Sequence, residues 1–182
     1  MKKLLLLLCF VFIHQVVYPV YFKHLGMSDG LSQVSVMSIY QDRLGRMWFG
    51  TREGVSIYDG ERMRVYKGWE NVDPESSINV LLGHECDHLT GNRQGDIFFR
   101  TCDSLVRYDI REEKFHVVGG CRAKTVTSAN GDVWTGYEDM ICRYDEKGDS
   151  LQLYVKTNTP GGISGLLISE KKIWIGTYEG LY

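Results

Sequence analysis

The stretch His84-Glu85-Cys86-Asp87-His88 has the HExxH spacing of a zinc hydrolase, and it is the segment whose residue types best suit enzymatic chemistry. On a helix, His84 and His88 would share a face and bind zinc, with Glu85 as general base on a metal-bound water. Continuing through Gly91 nearly completes the longer HExxHxxGxxH pattern, but position 94, which should supply the third ligand, is Gln94. A strand is the competing reading. Aligned on Gly45 and Gly95, His88-Leu89-Thr90 falls on Ser38-Ile39-Tyr40, part of an alternating segment. On a strand His84, Cys86 and His88 would share one face without an evident fourth ligand, so we expect no metal, no cofactor and no catalytic residue. His24 and His116 stand alone, and no Ser-His-Asp set or Gly-rich phosphate loop is present in the sequence. Cys86, Cys102, Cys121 and Cys142 match neither a zinc ribbon nor a redox CxxC pair, and all three of their pairings stay open.

The elements that must carry these residues are short. Twenty Gly, eleven Tyr, four Trp and three Pro in 182 residues, with no sustained 3.6-residue apolar periodicity, favour many strands joined by tight turns. The formal charge is −2 and the basic residues are scattered singly, which argues against a nucleic-acid partner. The start differs in kind. Met1, Lys2 and Lys3 precede an apolar run from Leu4 to Ile13 and a weaker one to Val20, the form of a secretory signal peptide over residues 1–20. That run is shorter than the ~20 residues a membrane-spanning helix needs, so export to the periplasm is expected.

One phrase recurs four times: GRMWFGT from Gly45, GDIFFRT from Gly95, GDVWTGY from Gly131 and KKIWIGT from Lys171. Its aromatics Trp48, Phe98, Trp134 and Trp174 are followed ten residues later by Tyr58-Asp59, Tyr108-Asp109 and Tyr144-Asp145, and Tyr182 stops short of a fourth such pair. Gly50, Gly136 and Gly176 follow their aromatics by two residues, and an apolar residue recurs seven positions on at Val55, Leu105, Ile141 and Leu181. The spacing fits four-stranded antiparallel blades. The predicted fold is therefore all-β, an incomplete β-propeller of about three and a half blades over residues 21–182. Its repeats run over about 32–68, 77–120, 121–156 and 159–182. Strands are expected over Val34 to Ile39, Arg46 to Gly50, Val55 to Tyr58 and Arg64 to Lys67 in the first repeat, and Asn130-Gly131 reads as a hairpin turn in the third. The repeated aromatics, glycines and Tyr-Asp pairs are read as structural. Each aromatic would bury against the neighbouring blade, each Gly would allow close approach, and each Asp would accept N–H groups of the following turn.

The segment from Phe22 to Gly60, and above all Gly30-Leu31-Ser32 followed by Val34 to Gln41, resembles the first blade of the two-component regulator propeller repeats. These repeats belong to the extracytoplasmic sensors of hybrid two-component histidine kinases. The resemblance implies a non-enzymatic sensor region that recognises oligosaccharides and signals as a homodimer. It also implies further propeller blades and an inner-membrane anchor elsewhere in the intact protein, with any kinase activity lying downstream. The second copy departs from the pattern with Phe98 for Trp and Arg100 for Gly, and the third with Tyr137 for Thr. Arg52, Glu53 and Trp69 fall in predicted loops and are the candidate ligand contacts. Two other function classes compete: a structural or protein-docking propeller without a small ligand, and a zinc metalloenzyme using His84, Glu85 and His88.

Overall fold

The computed structural model describes residues 21–67, 84–102, 104–120, 122–169 and 171–182. The expected signal peptide over 1–20, Trp69 and Cys121 lie outside the described residues. Among the described residues fifteen strands form four antiparallel sheets, each in simple sequence order. Blade 1 holds β1 (Val36–Gln41), β2 (Met47–Thr51), β3 (Gly54–Tyr58) and β4 (Met63–Tyr66). Blade 2 holds β5 (Cys86–Gly91), β6 (Ile97–Thr101), β7 (Ser104–Asp109) and β8 (Lys114–Val118). Blade 3 is β9 (Thr125–Ala129), β10 (Asp132–Tyr137), β11 (Met140–Asp145) and β12 (Ser150–Lys156), and the three strands β13 (Ile163–Ile168), β14 (Ile173–Thr177) and β15 (Gly180–Leu181) make blade 4. The first strands of successive blades, β1, β5, β9 and β13, contact one another in that order, so the sheets fan about a common side as an arc of a β-propeller.

The hydrophobic core lies between the blades. Trp48, Val55 and Ile57 of blade 1 pack with Cys86, Leu89, Ile97, Phe99, Val106 and Tyr108 of blade 2. Phe98 and Leu105 on the other face of blade 2 pack with Val126, Val133, Cys142, Tyr144 and Leu151 of blade 3. Blade 2 is thus covered on both faces, which explains why Ile97-Phe98-Phe99 is an unbroken apolar run instead of an alternating one. Trp48 and Phe98 are fully buried. Each meets the Tyr of the next blade's Tyr-Asp pair edge-on, Trp48 with Tyr108 at 4.9 Å between ring centroids and Phe98 with Tyr144 at 4.8 Å. Such a contact adds ~0.5–1.5 kcal/mol to the ~1.5–3 kcal/mol of burying the side chain. Trp134 instead meets Tyr154 of its own blade at 4.8 Å, and Trp174 is 42 % exposed. Val55, Leu105 and Ile141 are fully buried, whereas Leu181 is exposed.

Turn chemistry sets the strand registers. Asp59 accepts the N–H groups of Glu61 and Arg62 at 2.9 and 2.8 Å, and Asp109 those of Arg111 and Glu112 at 2.8 and 3.0 Å. Asn130 and Gly131 both have positive φ, 54° and 84°, as a two-residue hairpin turn of the primed type requires. A Cβ at Gly50 would collide with the backbone carbonyl of Cys86, so only glycine lets β5 approach β2 this closely. Leu31 and Ser32 cover the face of blade 1 opposite blade 2: the Ser32 N–H donates to Ser56 Oγ at 3.0 Å, and its hydroxyl pairs with Thr51 Oγ1 at 2.8 Å.

Candidate functional site

The HExxH stretch does not form a helix. His84 precedes β5, and Cys86, Asp87 and His88 lie on that strand, the innermost of blade 2. The expectation that His84, Cys86 and His88 share one strand face is corrected by a β-bulge between Asp87 and Thr90, where His88 takes φ 52° and alternation is lost. The His88 ring turns to its neighbour, with Nδ1 2.8 Å from Asp87 Oδ1. Asp87 in turn accepts both Nε, at 2.8 Å, and Nη2 of Arg100. Burial disfavours the Asp87 charge, but His88 and Arg100 outweigh it and hold the carboxyl below its usual range. Arg100, which replaces the glycine of the other repeats, is therefore tied to an acid that the same strand pair supplies. Among the described residues no group of three or more His, Cys, Asp or Glu side chains is placed to hold a metal ion. Cys86 is buried, which pushes its thiol up to about 12 and makes it a poor nucleophile, whereas Cys102 is exposed.

At the end of the arc formed by the β5–β6 and β7–β8 turns, polar clefts of about 190 and 250 Å³ open between blades 2 and 3. Arg107 lines the smaller of them. Its Nε and Nη2 donate to the two Asp149 oxygens at 3.1 Å each, and its Nη1 to Asp96 at 3.1 Å and Asp109 at 2.9 Å. Asp149 also accepts the Tyr144 hydroxyl at 2.6 Å. Burial opposes the charge on Arg107, but its bonds to Asp149 and Asp109 override that and raise its pKa further. Asp149 is also opposed by burial and is held low by Tyr144 and Arg107. The arrangement clamps blade 2 to blade 3, and every guanidinium nitrogen is already committed.

In blade 1 the β1–β2 turn is organised by Asp42. Its Oδ1 accepts the Leu44 and Arg46 N–H groups at 2.9 Å, and its buried Oδ2 accepts Arg46 Nε at 2.6 Å and Trp48 Nε1 at 2.8 Å. Blade 3 turns on Asn130-Gly131 and has no carboxylate at that place, and Trp134 Nε1 is buried without a partner among the described residues.

The opposite end carries the turns between second and third strands. Arg52 and Glu53 occupy the β2–β3 turn and are exposed, Glu53 lying 3.7 Å from Lys67 Nζ, and no described cleft includes either. Between blades 3 and 4, however, Lys124, Tyr137, Glu138, Gly162, Ile163 and Tyr178 line a cleft of about 320 Å³. Arg122 donates to the Tyr137 hydroxyl at 3.0 Å and lies over its ring at 5.7 Å. Sequence reading passed over this cleft. Its one visible sign was the third repeat's Tyr137 where the others have Thr51, Thr101 and Thr177.

Residues 30–53 match the model of the two-component regulator propeller family. This segment is a two-component regulator propeller repeat. The extracellular domain of BT3049 from B. thetaiotaomicron, described as a hybrid two component system, superposes with a TM-score of 0.70 at 26 % identity, over 87 % of this chain and 24 % of that one. The extracellular domain of BT4673 from the same organism, at 15 % identity and a TM-score of 0.66, covers 87 % of this chain and 21 % of its own and bears on the fold alone. Histidine kinase P4 of Formosa agariphila is 41 % identical over 59 residues, which are 32 % of this chain and 4 % of that protein. The chain thus spans a small part of the length of each relative. Among the described residues no helix is long and apolar enough to cross a membrane.

Proposed function

We propose that this propeller arc belongs to the extracytoplasmic sensor of a hybrid two-component regulator, that it takes part in recognising oligosaccharides, and that it is not itself an enzyme. One observation carries the reading: a two-component regulator propeller repeat begins a fold whose solved relative at 26 % identity is the extracellular domain of a hybrid two component system. The stretch from Met1 to Val20 acts as the export signal, which places the domain in the periplasm, and the intact protein is anchored in the inner membrane and signals as a homodimer. The exposed apolar face of blade 4, with Leu167, Trp174 and Leu181, receives further blades of the same propeller.

The experiment is a thermal-shift screen of the intact extracytoplasmic region against oligosaccharides released by polysaccharide digestion. A stabilising digest, fractionated to one oligosaccharide that reproduces the shift, is expected. A melt that no digest moves refutes recognition of oligosaccharides and returns the structural or protein-docking reading.

A further inference from the structure

The cleft between blades 3 and 4 presents two aromatic rings from the turns that follow the second strands. In blades 1 and 4 the turn after the second strand is closed by a threonine. Thr51 Oγ1 donates to the Gly54 carbonyl at 3.1 Å and accepts the Glu53 N–H at 3.1 Å, while Thr177 Oγ1 accepts the Glu179 and Gly180 N–H groups at 3.1 and 3.2 Å. Blade 3 puts Tyr137 at that place, and Glu138 after it takes φ 52°, as Cys102 does after Thr101 in blade 2. Tyr178, one place beyond the matching threonine of blade 4, is 76 % exposed. Two tyrosines from adjacent blades therefore line one cleft at positions where the repeat asks for neither.

The rest of the cleft fixes what those rings can meet. Arg122 holds Tyr137 by its hydroxyl and from above its ring, so that ring is oriented in advance. The junction between the blades is tight: the Ile163 N–H donates to the Glu138 carbonyl at 2.7 Å, and Gly161 and Gly162 follow each other at φ 81° and 68°. The lining carries one cation, Lys124, and one anion, Glu138, so neither sign is in excess to draw a polyanion or a polycation. A volume of about 320 Å³ lies at the small end of the ~300–1,000 Å³ typical of ligand pockets, enough for one or two sugar rings.

We infer that this cleft is a saccharide subsite for an uncharged oligosaccharide. Tyr137 and Tyr178 supply stacking faces for the apolar side of a pyranose or furanose ring. Lys124 donates to ring hydroxyls and Glu138 accepts from them. The inference rests on the sensing function proposed above and names where, and to what class of sugar, that function is exercised.

Calorimetry on the intact extracytoplasmic region tests it with two panels. One is neutral (cellopentaose, xylopentaose, mannopentaose, arabinopentaose), and the other is anionic (pentagalacturonate and a chondroitin sulfate hexasaccharide). The wild-type protein is expected to bind at least one neutral oligosaccharide. Tyr137→Ala and Tyr178→Ala should each weaken it about 10-fold, the loss of one stacking contact. Tyr137→Phe, which keeps the ring and loses only the Arg122 bond, should weaken it less. Tyr178→Ala cannot act through unfolding, because that side chain stands in solvent, and its melt should match the wild type. Neutral binding that persists unchanged in both alanine variants overturns the site while sparing the sensing function, and tighter binding of the anionic panel overturns the sugar class. A wild-type protein that binds neither panel overturns the subsite and the sensing function together.

Discussion

Arg107→Ala removes the cation that Asp96, Asp109 and Asp149 share between blades 2 and 3. Breaking a buried ion pair from one side costs ~3–5 kcal/mol because the partner is left charged and unpaired. The Arg107 and Asp96 side chains are 13 % and 12 % exposed, but Asp149 is 44 % exposed, so solvent screens part of the cost and ~2–3 kcal/mol remains. For a domain of this size that corresponds to a melting point lower by about 5–10 °C at pH 7. The pH dependence gives a second handle. Asp109 and Asp149 are held below their ordinary value of 3.8, so their contribution is complete above that pH and is lost as pH falls through the lowered values. The gap between wild type and variant should be widest at pH 5–7 and narrow below about pH 4. A double-mutant cycle with Asp149→Asn should return a coupling of ~1–2 kcal/mol. Melting points within about 1 °C at pH 7, or a gap that is the same at pH 3, would refute the clamp.

Gly50→Ala should lower the melting point by the equivalent of ~1–3 kcal/mol, since its Cβ meets the Cys86 carbonyl, whereas Gly176→Ala, with its nearest atom 3.7 Å away, should be tolerated in the same assay. Asp42→Ala strips acceptors from Trp48 Nε1, Arg46 and two turn N–H groups and should cost ~2–4 kcal/mol in chemical denaturation. Asp42→Asn should cost less, because its amide oxygen can still serve the turn. Timed alkylation followed by mass spectrometry should label the exposed Cys102 quickly and leave Cys86 unmodified in the folded protein.

The blades were legible because their signal is local. The aromatic at the centre of β2, β6, β10 and β14, the glycine two residues on in three of them and the Tyr-Asp pair before the next turn in three all lie within a dozen residues. The predicted strands needed shifts of only one or two positions, as where Val34 to Ile39 became Val36–Gln41. What escaped depends on contacts across blades or on the third dimension. The bulge at His88 recurs at the like place in β1, between Val36 and Ser38, and in β13, between Ile163 and Gly165, so it belongs to the blade's first strand, and nothing in an HExxH spacing discloses it. The acceptor role of Asp42 toward Trp48 is set by how the first turn folds back over β2. The cleft holding Tyr137 and Tyr178 joins residues from different repeats, so Tyr137 looked like an isolated departure from the pattern and Tyr178 like an ordinary turn residue, while Arg52 and Glu53 stood out only for being charged and in a loop.

The pairing of Trp48 with Tyr108 and of Phe98 with Tyr144 has a consequence for biosynthesis. Each ring waits for a tyrosine that the ribosome adds 60 residues later for Trp48 and 46 for Phe98, a delay of roughly 2–12 s at ordinary translation speeds. A nascent blade therefore carries a bare indole or phenyl face until its successor emerges, and that interval is open to chaperones and proteases.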